Sequence, residues 1–296
     1  MHNRRVSTKI TIPQDQACLI VHGPDQPGIV AAVSGLIARQ GGNIVSLDQY
    51  AENQAGGEFF QRTVFHKTGL KGELPQIEED LQRTLAPLGL NWILRDRSQL
   101  KRMAILSSTQ DHCLLDLLWR HRRGELPVTV PMVISNHAVS ADDVRSFGIP
   151  FFHVPSKKGS DKSEAEAKIL ELLKGNCDFV VLARYMQILS ENFLNELGVP
   201  IINIHHSFLP AFIGADPYKR ARERGVKLIG ATSHYVTADL DEGPIIEQDT
   251  IRVSHADSAA DLARRGADVE RQVLARAVLW HAEDRVIRTG NHTIVF

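Results

Sequence analysis

From Met103 onward, short apolar runs alternate with stretches of helical spacing, and this alternation constrains the fold more than any other feature of the chain. The runs are "MAIL", "VTVPMVI", "PFFHV", "FVVLA" and "VPIINI", with helical segments starting at Asp111, Ala141 and Ser163 between the earlier ones. Strands buried on both faces read as continuous apolar runs, and parallel neighbours need a crossover, so this order predicts a mostly parallel, Rossmann-like sheet with helices on both faces. Two further strands are predicted at Lys227 to Val236 and Pro244 to Val253, followed by a helix from about Asp257 to Ala282. On that helix Leu262, Val269, Val273, Leu274 and Val278 share one face, which marks a core stripe.

The residues before Asp96 follow a different pattern. Strands are expected at Ala17 to Val21, Ile44 to Tyr50, Phe59 to Phe65 and Asn91 to Leu94, with helices from Pro27 to Arg39 and about Leu74 to Leu85. That order is βαββαβ, the ferredoxin-like arrangement. Pro27 suits a helix start and Gly41-Gly42 a stop. The charged run Arg95 to Arg102 reads as a linker. The chain is therefore expected to be an α/β protein of two domains, residues 1–96 (ordered from about 15) and 103–296.

Bulk properties exclude several classes. With 34 Lys and Arg against 35 Asp and Glu, the net charge is −1, and no basic block stands out, so nucleic acid is not an expected partner. No apolar run reaches membrane-spanning length, and the basic start "MHNRRVSTKITIP" lacks the apolar stretch of a signal peptide, so a cytoplasmic protein with no membrane partner is expected. Cys18, Cys113 and Cys177 are far apart and have no Cys-x-x-Cys spacing; they read as small core hydrophobes.

Two polar groups interrupt the apolar pattern where it matters. Asn203, His205 and His206 follow the run Val199 to Ile202, at the carboxyl end of a predicted strand, where parallel sheets bind ligands. Asp239, Asp241 and Glu242 crowd the turn before Pro244. An amide, an imidazole and a carboxylate at one sheet edge can stabilise an oxyanion, transfer a proton and activate water. Alternation along a strand sends His205 and His206 to opposite sides, which leaves His206 between support of the site and a structural role, and counts against a metal site of His205, His206, His234 and Asp241. His234 fits either the site border or the sheet. Lys157-Lys158 read as a solvated loop.

The segments "NIHHSFLPAFIGADPY" and "GATSHYVTADLDEGPIIEQ" resemble the signature of the formyltetrahydrofolate-dependent formyl transfer enzymes, over essentially all of residues 103–296. "GPDQPGIVAAVSGLIARQGGNIVSLDQY" resembles an ACT domain. The two together are the organisation of the formyltetrahydrofolate deformylases. The resemblance implies hydrolysis of 10-formyltetrahydrofolate to formate and tetrahydrofolate, with Asn203, His205 and Asp241 catalytic. Folate would contact Arg184, Tyr185, Met186, Ile188, Leu189, His206 and Thr237. It implies no cofactor or metal, a homo-oligomer, and an amino-acid effector near Asp25, Pro27 and Gly28. Whether Asp241 is the base or orients His205 stays open. The loop "LSSTQDHC", Leu106 to Cys113, has no glycine for close approach to a phosphate, which argues for water rather than a ribonucleotide as acceptor. Ser107, Ser108 or Thr109 could cap the helix that follows.

Overall fold

The protein is described by a computed structural model over residues 12–53, 56–156, 162–210 and 217–296. Lys157, Lys158, and Gly214 to Asp216 of the "GADPY" segment lie outside the described residues. The described residues divide into two compact units, one of residues 12–100, 284–287 and 294–296, the other of residues 101–283 and 288–293.

The first unit runs β1 (Gln16–Pro24), α1 (Ile29–Arg39), β2 (Asn43–Ala51), β3 (Glu58–His66), α2 (Leu70–Leu85) and β4 (Asn91–Asp96). Its strands lie in the antiparallel order β2-β3-β1-β4, with the first and last strands in the middle and at one edge. One face buries Ala17, Leu19, Val21, Phe59 and Phe65 against Ile29, Val33, Leu36 and Ile37 of α1 and Ile77, Leu81 and Leu85 of α2. On the other, Cys18, Ile20, Phe60 and Val64 pack against Ile287, Ile294 and Phe296 from the carboxyl terminus. The βαββαβ order is as the sequence predicts, with two boundary corrections. Pro27 precedes α1 rather than opening it, because Gly28 takes a left-handed conformation (φ +96°) that a helix cannot contain. Helix α2 starts at Leu70, four residues earlier than expected, since buried Leu70 anchors a turn ahead of Pro75.

The second unit begins with β5 (Lys101–Ser107), α3 (His112–Arg123), β6 (Val128–Thr129), β7 (Val133–Ser135), α4 (Ala141–Ser146), β8 (Phe151–His153) and α5 (Ser163–Leu173). It continues through β9 (Phe179–Ala183), α6 (Glu191–Leu197), β10 (Ile201–His205), α7 (Pro217–Arg224), β11 (Leu228–Tyr235), β12 (Ile245–Arg252) and α8 (Ala259–Ala282). A hairpin of β13 (Val286–Thr289) and β14 (His292–Val295) ends the chain. Strands order as β12-β11-β10-β9-β5-β7-β8, with β6 paired to β5. The pairs from β10 through β8 are parallel, and β11 and β12 add antiparallel. The linker shrinks to residues 97–100, because β4 and β5 take up both ends of the charged run. "VTVPMVI" is two strands, since Pro131 cannot donate to the ladder.

Helix α8 starts at a capping box in which Ser258 accepts from the Asp261 N–H and the Asp261 carboxylate accepts from the Ser258 N–H. All three cysteines are buried, and none forms a disulfide. Among the described residues, no helix is long and apolar enough to cross a membrane.

Candidate active site

Strand β10 carries Asn203 and His205 two residues apart, so both side chains leave the same face. Across the antiparallel step Asn203 pairs with His234 of β11, and across the parallel step with Leu182 of β9. The turn between β11 and β12 then returns Asp241 to this edge, in the left-handed conformation (φ +59°) that aspartate tolerates better than most residues. Thr237 fastens the start of the turn by donating its hydroxyl to the Asp239 carbonyl, at 3.1 Å. These groups line a cavity of about 770 Å³.

Its hydrogen bonds define the protonation pattern. His234 Nδ1 lies 2.9 Å from the Tyr235 carbonyl and donates to it, so Nε2 is left to accept from the Asn203 amide nitrogen at 3.2 Å. That fixes which end of the Asn203 amide is the nitrogen, and leaves its second N–H to donate elsewhere. Asp241 Oδ2 is 3.3 Å from His205 Nδ1, and Oδ1 is 3.7 Å from His234 Nε2. The His205 contact leads the effects that hold the Asp241 carboxyl well below the usual carboxylate range, against the opposing effect of burial. With Nδ1–H engaged by Asp241, the Nε2 of His205 has no hydrogen-bond partner among the described residues.

His206 lines the same cavity, its ring centroid 5.3 Å from that of His205. The alternation expected from sequence fails here because β10 ends at His205, and the chain bends at the next residue. Burial, then the Arg184 charge, lower the His206 imidazole to about 4, so it is neutral near pH 7. Arg184, Tyr185, Met186, Ile188, Leu189 and Thr237 also line the cavity. Val181 is core, as is expected of a residue whose neighbour Leu182 faces the site. The Ser107 to Thr109 segment supplies no side-chain cap to α3.

Sequence reading missed a second polar group in this cavity. Glu270 of α8 accepts from Tyr218 OH at 2.6 Å through Oε1 and pairs with His112 Nε2 at 2.8 Å through Oε2, with Arg184 Nε 3.5 Å from that oxygen. Burial would raise the Glu270 carboxyl, but His112, the Arg184 charge and Tyr218 together outweigh it and hold it low. A signal existed: Glu270 falls in the register of buried Gly266, Val269, Val273 and Leu274, where an acid is out of place unless partnered. His112, Cys113 and Glu270 place ligand atoms within 4.8 Å of one another. Their chemistry suits an ion-pair network better than a metal, because burial raises the Cys113 thiol well above its ordinary value and both Glu270 oxygens are engaged.

Gly266 explains how Tyr218 reaches Glu270. A β-carbon there would lie 2.0 Å from the Tyr218 hydroxyl and 2.2 Å from Cζ. Alanine in a helix interior is worth about 1 kcal/mol over glycine. Gly266→Ala is nonetheless expected to lower the melting temperature and weaken the Tyr218–Glu270 contact, because the ring must leave its notch; a raised melting temperature with full activity would refute this.

The chain matches the formyl transferase family over residues 101–278 and the ACT domain over residues 19–83. It is 58% identical to a formyltetrahydrofolate deformylase of Mycobacterium bovis, over 94% of this chain and 90% of that protein. A solved formyltetrahydrofolate deformylase from Pseudomonas syringae pv. tomato superposes with a TM-score of 0.90 at 44% identity, covering 95% of this chain and 94% of that one. The glycinamide ribonucleotide transformylase 1 of Symbiobacterium toebii shares 33% identity and a TM-score of 0.63, covering 67% of this chain and 94% of its own. An ACT domain followed by a formyl transferase domain, at this identity along nearly the whole length, shows that the chain belongs to the formyltetrahydrofolate deformylase family.

Proposed function

We propose that this cavity hydrolyses 10-formyltetrahydrofolate, giving formate and tetrahydrofolate, with Asn203, His205 and Asp241 as the catalytic groups and without metal or cofactor. The observation that carries the reading is the contact of Asp241 Oδ2 with His205 Nδ1 at 3.3 Å, beside an Asn203 amide that His234 orients. A carboxyl held so far below its ordinary range is a poor base at neutral pH. Asp241 therefore acts by fixing the Nδ1–H tautomer of His205 and by stabilising the imidazolium that forms. Nε2 of His205 takes a proton from the attacking water and returns it to N10 as the carbon–nitrogen bond breaks, the logic of a His–Asp pair with water as nucleophile. The free N–H of Asn203 donates to the oxyanion that develops on the formyl oxygen, a contribution of about 3 kcal/mol in comparable sites. Met186, Ile188, Leu189 and Thr237 supply a mixed wall for the folate, with Arg184, Tyr185 and His206 completing it.

Purified protein incubated with 10-formyltetrahydrofolate should release formate and tetrahydrofolate in equal amounts. Turnover should survive treatment with a strong chelator and should not depend on glycinamide ribonucleotide. Loss of activity on removal of a stoichiometric metal would overturn the cofactor-free reading, and formyl transfer to glycinamide ribonucleotide would overturn water as the acceptor.

The ACT unit is proposed to join subunits into a homo-oligomer and to sense an amino acid at the turn of Asp25, Pro27 and Gly28. Support comes from that turn: the Asp25 N–H is held by the Gly57 carbonyl at 2.9 Å, and Gly28 at φ +96° caps α1 without a side chain over its first N–H groups. Glycine and methionine are the first amino acids to titrate against rate and melting temperature, with Gly28→Val as the strained control. A response that Gly28→Val abolishes supports the site; no response to any amino acid in the intact protein rejects it.

A further inference from the structure

We infer that the Arg184 guanidinium is the subsite that receives the formate released by hydrolysis, a step that rests on the reaction proposed above. Four observations point to it. Arg184 lines the reaction cavity with a side chain only 12% exposed, and neither its Nε nor its Nη1 makes a hydrogen bond. A largely buried guanidinium with unmet donors is costly, and such groups persist where a ligand completes them. Its carboxylate neighbour among the described residues, Glu270, stands 3.5 Å from Nε and is already committed through both oxygens, to Tyr218 and to His112. Glu270 thus holds the guanidinium in place without satisfying it. The backbone is strained at the same point: Arg184 and Met186 both sit at positive φ, +60° and +57°, directly after β9. Non-glycine residues in that region cost energy and concentrate at ligand sites.

The chemistry of the reaction supplies the ligand. Water oxygen bonds to the formyl carbon, the carbon–nitrogen bond breaks, and its electron pair stays on N10, which takes a proton. The amine remains part of the folate, while the one-carbon product is formic acid, which loses its proton at neutral pH. One anion of three heavy atoms is therefore generated next to His205, whose ring centroid lies 5.3 Å from that of His206. Arg184 lines the same cavity, and its charge, after burial, helps to lower the His206 imidazole. Among the other described residues lining the cavity, Lys219 is a cation but is exposed. A guanidinium matches a carboxylate in both charge and geometry. Holding formate there keeps its carbon out of reach of N10, the nucleophile of the reverse reaction, and lets the two products occupy the cavity together.

The test uses the intact protein and sodium ¹³C-formate. Wild-type protein is expected to bind formate, seen as line broadening of the ¹³C signal, with a dissociation constant no tighter than about half a millimolar, the ceiling for three heavy atoms. Formate should inhibit hydrolysis, and doubly varied formate and tetrahydrofolate should show both products bound at once. Arg184→Gln is expected to weaken formate binding by a factor of roughly ten to a hundred, the worth of a charged hydrogen bond, with a smaller change in KM for the folate. Glu270→Gln, which removes the neighbouring negative charge, should move formate affinity the other way. Mutually exclusive binding of formate and tetrahydrofolate in the wild type would overturn the proposal without any variant. Equal formate affinity in wild type and Arg184→Gln would do so as well, as would an Arg184→Gln effect confined to the folate KM. Failure of the protein to hydrolyse 10-formyltetrahydrofolate at all would instead remove the reaction, and formate binding in that case would have to be explained without it.

Discussion

Asp241→Asn is expected to reduce kcat to less than a tenth of wild type while leaving folate affinity within roughly tenfold, because the lost carboxylate acts on His205 rather than on the bound folate. An amide can accept from His205 Nδ1 but cannot stabilise an imidazolium. His205→Ala should be comparably damaging, and the double variant little worse than either single one, since groups that act as one unit are not additive. Independent, multiplying effects in that cycle would dismiss the His–Asp pairing. The same substitution has a pH signature. The folded-state pKa of Asp241 lies below its unfolded value, so the pair stabilises the protein above the ordinary aspartate pKa of about 3.9 and loses that contribution as pH falls through the folded value. The stability gap between wild type and Asp241→Asn should therefore be constant above about pH 5 and close in more acidic solution. A gap that widens on acidification would contradict the assigned pairing.

Gly243→Ala is the second large effect. A β-carbon at Gly243 would fall 1.8 Å from the Tyr235 carbonyl oxygen and 3.0 Å from its carbon, both backbone atoms that cannot swing aside. The strand end there is closed by the Tyr235 N–H donating to the Pro244 carbonyl at 2.9 Å, so relief must come from the turn that carries Asp241 two residues earlier. Activity should fall about as far as in Asp241→Asn, and the melting temperature should drop with it, by the equivalent of about 1–3 kcal/mol for overpacking. Unlike Asp241→Asn, this variant should also lose folate affinity, because Thr237 lies on the same turn. Glu242→Ala, next door but exposed and outside the cavity lining, should change stability by less than about 0.5 kcal/mol. Full activity in Gly243→Ala would mean that the turn can move without moving Asp241.

Much of this architecture is legible in the sequence because the relevant rules are short-ranged. Asn203 and His205 lie two apart at the end of an apolar run, and strand geometry alone puts them on one face at the ligand-binding edge. The βαββαβ order of the first unit follows from periodicity and glycine placement. What stayed hidden depends on where regular structure stops or on partners far along the chain. His206 was assigned away from His205 by alternation, a rule that lapses one residue past the end of β10. The Glu270 network joins residues 112, 184, 218 and 270, from three helices and the loop after β9, and no local pattern links them. The need for glycine at position 266 comes from a tyrosine 48 residues earlier, as the separation of 266 and 218 shows.

Ile287, Ile294 and Phe296 sit on the outer face of the first unit's sheet, against Cys18, Ile20, Phe60 and Val64. That places an order on synthesis. Strands β1 to β4 can pair as soon as they leave the ribosome, yet this patch of their sheet stays uncovered until residues 287–296 have been translated. Through that interval the nascent chain carries an apolar surface that the finished molecule hides, which is where a holding chaperone would find it. Arrival of residues 287–296 then covers strands made much earlier, so that a stop codon near position 286 would injure the first unit.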